Sequence, residues 1–114
     1  MDVKVELAGL NIMDLKFDTE QFDKCQAILI DQIAQQVKIK LLEAGMEGEK
    51  LEDNVAKITF SIANILDDMA AIESDGFEVR PYLTFRVDDD VLIHCGENSC
   101  TNEFVYKTLN KLFG

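Results

Sequence analysis

Apolar and polar positions recur along the chain with a period of two in some segments and close to four in others, and the changes of period mark its elements. The most regular run is Leu51, Val55, Ile58, Ile62, Ile65, Met69 and Ile72, spaced 4, 3, 4, 3, 4 and 3. A 3.5-residue repeat of large apolar side chains predicts a helix from Glu49 to Asp75-Gly76 that lays one seam against a neighbouring helix. The segment from Asp18 to about Glu43 is helical too. Cys25, Leu29, Ile33, Val37 and Leu41 form an i,i+4 stripe headed by Phe22, and Ile28, Ile30, Ile39 and Leu42 fall outside it. A helix apolar on more than one face is covered on two sides. Asp18 is its predicted N-cap, with Gln21 placed to complete a capping box, and Gly45 is its left-handed stop. The short Gly45-Met46-Glu47-Gly48 link makes the two helices antiparallel neighbours.

The period-two segments flank this hairpin. Val3, Val5 and Leu7 alternate with Asp2, Lys4 and Glu6; after a turn at Ala8-Gly9, Met13, Leu15 and Phe17 alternate with Asp14, Lys16 and Asp18. Leu10 and Ile12 are out of phase, which predicts a bulge near residues 12–13. From Phe77 to Val87 eleven residues alternate as one long strand, at an edge or bulged at Pro81, which has no N–H to donate. Asp88-Asp89-Asp90 turns the chain, and Val91, Ile93 and Cys95 return opposite Val87, Phe85 and Leu83. A last helix, capped by Asn98, Ser99 or Thr101, carries Phe104, Val105, Leu109, Leu112 and Phe113. The expected architecture is a single α+β domain over residues 1–114 in the order ββααββα. Its antiparallel sheet is packed on one face by a long antiparallel helical hairpin plus the C-terminal helix.

Charge narrows the function. Twenty-two acidic against eleven basic residues leave a net −11, which disfavours direct nucleic-acid binding and anionic membranes and invites a basic protein partner. Three cysteines are an odd number and argue against a disulfide framework. The first residues lack a signal-peptide pattern and no run is long enough to span a membrane, so a cytoplasmic setting is expected.

Candidate chemistry is sparse. His94, the one histidine, adjoins Cys95, but adjacent strand residues point to opposite faces. His94 with Cys100 is the remaining pair, Cys100 lying near a helix N-terminus where a thiolate is favoured. That pair supports an alternative reading: a small-ligand-binding protein or minor enzyme with a pocket between sheet and helices. A zinc site would lack paired cysteines and a fourth ligand, and the Asp88–Asp90 turn lacks spaced oxygens and a distal glutamate, so neither metal nor cofactor is expected. Phe60, rotated about 200° from Ile58, falls on the face a simple hairpin leaves in water and is a candidate anchor for another chain. Asp67, Asp68 and Asp75 lie in a stretch with no basic residue between 58 and 79 and are candidates to meet a cationic partner. The reading is a non-catalytic acidic protein–protein interaction module that binds, inhibits or escorts a partner. Surfaces of the helical hairpin are expected to make it a homodimer.

Overall fold

The computed structural model describes residues 2–7 and 11–114. Strands β1 (Asp2–Leu7) and β2 (Asn11–Phe17) lead into helices α1 (Thr19–Glu43) and α2 (Gly48–Leu66). Two short strands, β3 (Glu73–Ser74) and β4 (Phe77–Glu78), form a hairpin of their own. Strands β5 (Phe85–Asp88) and β6 (Val91–His94) complete the main sheet, and a 3₁₀ turn (Thr101–Phe104) runs straight into α3 (Val105–Phe113). The fold is mixed α+β with a helical hairpin, as the periods indicate, but its sheet is not purely antiparallel. The strand order is β1-β2-β6-β5, and β2 and β6 run parallel. The helical hairpin causes this: it returns the chain to the end of the sheet that β2 left. There β5 heads back, and β6 reverses again into the direction of β2.

Register is set locally. β1 and β2 pair without a break, Val3 with Leu15 and Val5 with Met13, so there is no bulge at residues 12–13. The expected turn at Ala8-Gly9 lies outside the described residues. Phe85 sits opposite Ile93 as the alternation requires, but Asp88 rather than Val87 pairs with Val91, and the register shifts between Arg86 and Asp88. Val87 is the extra residue of a bulge. Leu83 and Cys95 fall outside the strands, and the eleven-residue strand expected from Phe77 is interrupted between Glu78 and Phe85. Pro81 stands in that gap and has no N–H to offer a ladder.

The two long helices end in the same motif built from different residues. Asp18 Oδ1 accepts the Gln21 N–H at 3.0 Å and caps α1. At the other end Gly45 has φ +90°, with Met46 N–H bonded to Leu41 O and Gly45 N–H to Leu42 O, a Schellman motif. Helix α2 closes with the same motif: Met69 N–H reaches Asn64 O at 2.9 Å and Asp68 N–H reaches Ile65 O at 3.3 Å. Here the left-handed residue is Asp68 (φ +59°) rather than a glycine, so α2 ends at Leu66 and not near Asp75. Asp75 and Gly76 instead have φ +51° and +76° and form the two-residue turn of the β3–β4 hairpin, for which Asp-Gly is strongly preferred.

The helices bury different stripes from those their largest side chains suggest. On α1 the buried residues are Phe22, Gln26, Ile30 and Ala34; on α2 they are Leu51, Val55, Thr59 and Ala63. Each stripe is one residue, or about 100°, away from much of the expected one. Cys25, Leu29 and Ile33 are only half-buried, and Ile58 and Ile65 are 37% and 44% exposed. Ala34 packs with Leu51 and Val55, and Ala63 with Ile30 and Val105. Helix α3 then closes one flank, with Val105 in a cluster with Ile30 and Ala63, and Leu109 and Leu112 against Ala34, Leu51 and Val55. Thr108 and Lys111 donate to the Asp31 carboxylate, Lys111 Nζ at 2.7 Å. Burial alone pushes the Asp31 carboxyl up, but hydrogen bonds from Lys111 and Thr108 and the nearby charges of Lys111 and Lys107 outweigh it and hold the carboxyl below its usual value.

Thr59 Oγ1 is buried with no hydrogen-bond partner among the described residues. A buried hydroxyl without a partner costs about 1–3 kcal/mol relative to an apolar group of the same shape. Thr59→Val is therefore expected to raise the urea midpoint, by about 1 kcal/mol in stability. A loss of stability in the same titration would mean the hydroxyl is satisfied in solution.

The sheet joins the helices at the start of α1, where Phe22 stands edge-on to Phe85 at 5.2 Å, instead of lying along the hairpin. The molecule is accordingly extended, 49 × 37 × 23 Å with a radius of gyration of 16.6 Å. A compact chain of this length has about 13 Å. The missing compactness appears as apolar surface: among the described residues, eleven large hydrophobic side chains are exposed.

Candidate functional site

The end of α2 and the segment after it hold most of the polar chemistry. Asp67 is the C-cap of α2 and is 3% exposed. Its Oδ1 accepts from Ser99 Oγ (2.6 Å), Thr101 N (2.8 Å) and Thr101 Oγ1 (2.8 Å), and its Oδ2 accepts from Asn102 N (2.9 Å). The carboxylate thus satisfies two main-chain N–H groups at the start of the 3₁₀ turn that leads into α3, where the positive end of the helix dipole favours an anion. The expected role of Asp67 in meeting a cationic partner is corrected. It faces inward and acts as an internal cap supplied by another helix. Gln26 docks the same segment from α1, its Oε1 accepting Cys100 N–H at 2.8 Å. Sequence alone offered Asn98, Ser99 and Thr101 as self-caps; a cap from 34 residues earlier leaves no local signal.

The other candidates are scattered. Asp68 is turned to Arg80, whose Nε donates to Oδ2 at 2.9 Å, and the Asp68 side chain is 10% exposed. Asp75 is exposed at the tip of the β3–β4 turn. Phe60 is half-buried rather than on a water-facing side; it packs on the Ile30–Ala63–Val105 cluster and stands edge-on to Tyr106 at 5.3 Å. Tyr106 is the aromatic that reaches solvent there, at 70% exposure.

His94 and Cys100 are held by different partners. His94 Nδ1 accepts the Gly96 N–H at 3.2 Å, and its ring meets Phe17 edge-on at 5.5 Å. Cys100 Sγ lies 3.8 Å from Gln26 Nε2, on α1. Burial pushes the Cys100 thiol up; the Gln26 hydrogen bond opposes this, and the negative charges of Glu103 and Asp23 push it further. Such a thiol is un-ionised at neutral pH and is not a poised nucleophile. All three cysteines are free. Between the sheet and the start of α1 there is a polar cleft of about 360 Å³ lined by Asp14, Lys16, Gln21, Val87, Asp88, Val91 and Ile93, so neither His94 nor Cys100 borders it. No cluster of His, Cys, Asp or Glu suited to a metal ion occurs among the described residues.

What is left is an apolar arm. From Met69 to Tyr82 the chain leaves α2, makes the β3–β4 hairpin and returns, fastened by the Asp68–Arg80 ion pair and by Val79 N–H to Ile72 O at 2.9 Å. Met69, Phe77, Val79 and Tyr82 are exposed on it, Phe77 at 74%. Glu73, Asp75 and Glu78 are interleaved with them and also exposed.

The chain matches no known family model, no curated protein and no solved structure. Among the described residues no helix is long and apolar enough to cross a membrane.

Proposed function

We propose that the chain is a non-catalytic protein-binding module whose docking element is the Met69–Tyr82 arm, and that its partner presents basic residues around an apolar pocket. The observation that carries this reading is the arm itself: four large apolar side chains held in water by a fastened hairpin. Exposed aromatics on a small ordered projection are suited to act as anchors in a partner's pocket. Glu73, Asp75 and Glu78 between them add charge that steers a basic surface and repels an acidic one. The net −11 works in the same sense at longer range. The raised Cys100 thiol lends no support to a catalytic alternative.

The test is affinity capture from the native host with the unaltered chain and with Phe77→Ser combined with Tyr82→Ser. The expected result is a partner retained by the first, lost with the second, and released as ionic strength rises. Identical captures, or a complex indifferent to salt, would overturn the proposal.

A further inference from the structure

We infer that two copies of this chain associate through the Ile58–Ile62–Ile65 flank of α2, packed antiparallel on the same flank of the second copy. This surface is separate from the arm, and the inference does not rest on the arm's proposed role.

Helix α2 carries two stripes. The inward one, Leu51, Val55, Thr59 and Ala63, is spaced by four and made partly of small side chains. The second runs Leu51, Val55, Ile58, Ile62, Ile65 and Met69 with the 4,3,4,3,4 spacing of a coiled-coil seam. They share their first turn and diverge after it. Past Val55 the heptad stripe leaves the core: Ile58 is 37%, Ile65 44% and Met69 66% exposed, and Ile58, Ile62 and Ile65 belong to neither core cluster. The folded monomer thus uses only the first turn of the most regular pattern in the sequence and leaves Ile58 and Ile65 exposed.

The flank's position follows from contacts on the opposite side. Phe60 meets Tyr106, and Asn102 Nδ2 donates to Asn64 Oδ1, which puts α3 and its leading turn on one flank of α2. On α1 the matching flank holds Asp31 and Lys38, bonded to Lys111 and to Leu112 O. At 100° per residue, Ile58 and Ile65 lie about 100° from Thr59 in the sense opposite to Phe60. Helix α3 therefore covers one side of the hairpin. The other side presents the exposed Ile58 and Ile65 and the half-buried Ile62, with the half-buried Leu29 on the matching flank of α1.

Two features select a second copy as the occupant. The stripe is self-complementary, since a heptad seam of isoleucines packs on another of its kind. Residues 54–66 contain no acid and one lysine, in a chain with 22 acids, and this is its longest acid-free run. Two chains of charge −11 repel each other over most of their surfaces, and an acid-free face is where they can approach. Orientation follows from the hairpin tip, where Glu47, Glu49, Glu52 and Asp53 gather at the N-terminus of α2. Parallel pairing would bring both tips and both like helix poles together. Antiparallel pairing separates them and sets Ile58 against Ile65 of the second copy.

Sedimentation of the full chain tests this. The expected mass is twice 12.9 kDa, with association tightening as salt screens the like charges, the opposite of what a basic partner would show. Ile58→Glu with Ile65→Glu is expected to give a monomer with unchanged helical circular dichroism, both side chains being partly exposed. Ile58→Glu with Ile65→Lys should restore the dimer, because antiparallel packing then sets opposite charges across the interface. A chain that stays monomeric at every concentration, or a dimer indifferent to the double glutamate change, overturns the inference. Failure of the mixed pair to restore association overturns the antiparallel arrangement. Phe77→Ser with Tyr82→Ser should remain dimeric; its dissociation would place the interface on the arm instead.

Discussion

Replacing Asp67 by alanine is expected to lower stability by about 3–5 kcal/mol, the range for stripping the charged partner from a buried polar network. The N–H groups of Thr101 and Asn102 would lose their acceptor, and the Ser99 and Thr101 hydroxyls would keep only the longer bonds to Leu66 O and Ala63 O, both 3.3 Å. Two of these are main-chain N–H groups at the start of the turn into α3, which have no intrahelical partner of their own. Ser99 and Thr101 are buried, so water does not readily replace the carboxylate. The loss should show in the urea midpoint and in faster amide exchange of α3. The adjacent Asp68→Asn is the control. It keeps a residue tolerant of left-handed φ and removes one ion pair to a largely exposed Arg80, expected at under about 1 kcal/mol. Equal losses from the two changes would show that Asp67 is not the internal cap.

Phe22→Ala is expected to cost a similar amount, about 3–5 kcal/mol, by a different route. Phe22 is fully buried and stands edge-on to Phe85, joining the start of α1 to the sheet. Removing the ring leaves a cavity at the junction between sheet and helices, and the aromatic pair is lost with it. Because that junction is at one end of α1, the damage should be uneven: exchange protection should fall in β5 and β6 before it falls in α2 and α3. Tyr106→Ala, which removes a ring that is 70% exposed, should move the midpoint far less. A uniform loss of protection across the molecule after Phe22→Ala would mean that sheet and helices unfold as one unit.

Legibility followed locality. The Asp18 cap, the Gly45 stop, the Phe85–Ile93 pairing and the existence of the hairpin each depend on residues a few places apart, and each could be read in the chain. The end of α2 could not, because Asp68 takes a conformation that usually announces itself with glycine. Neither could the capping of the turn before α3, since its acceptor is Asp67 and not a neighbour. Of the candidate site residues, the stretch 67–75 was marked out by its charge. Charge does not say whether a carboxylate turns inward like Asp67, pairs like Asp68 or stays in water like Asp75.

The same division applies to the Leu51–Ile72 run. Spacing alone determines that α2 is a helix with an apolar seam, because side-chain direction on a helix follows from position. Which of two overlapping stripes turns inward is a choice between neighbours about 100° apart. It was decided by the packing of Ala34 on Leu51 and Val55 and of Ile30 on Ala63, and by the flank that α3 occupies. Those are contacts between residues distant in the chain, and they left Ile58 and Ile65 of the seam exposed.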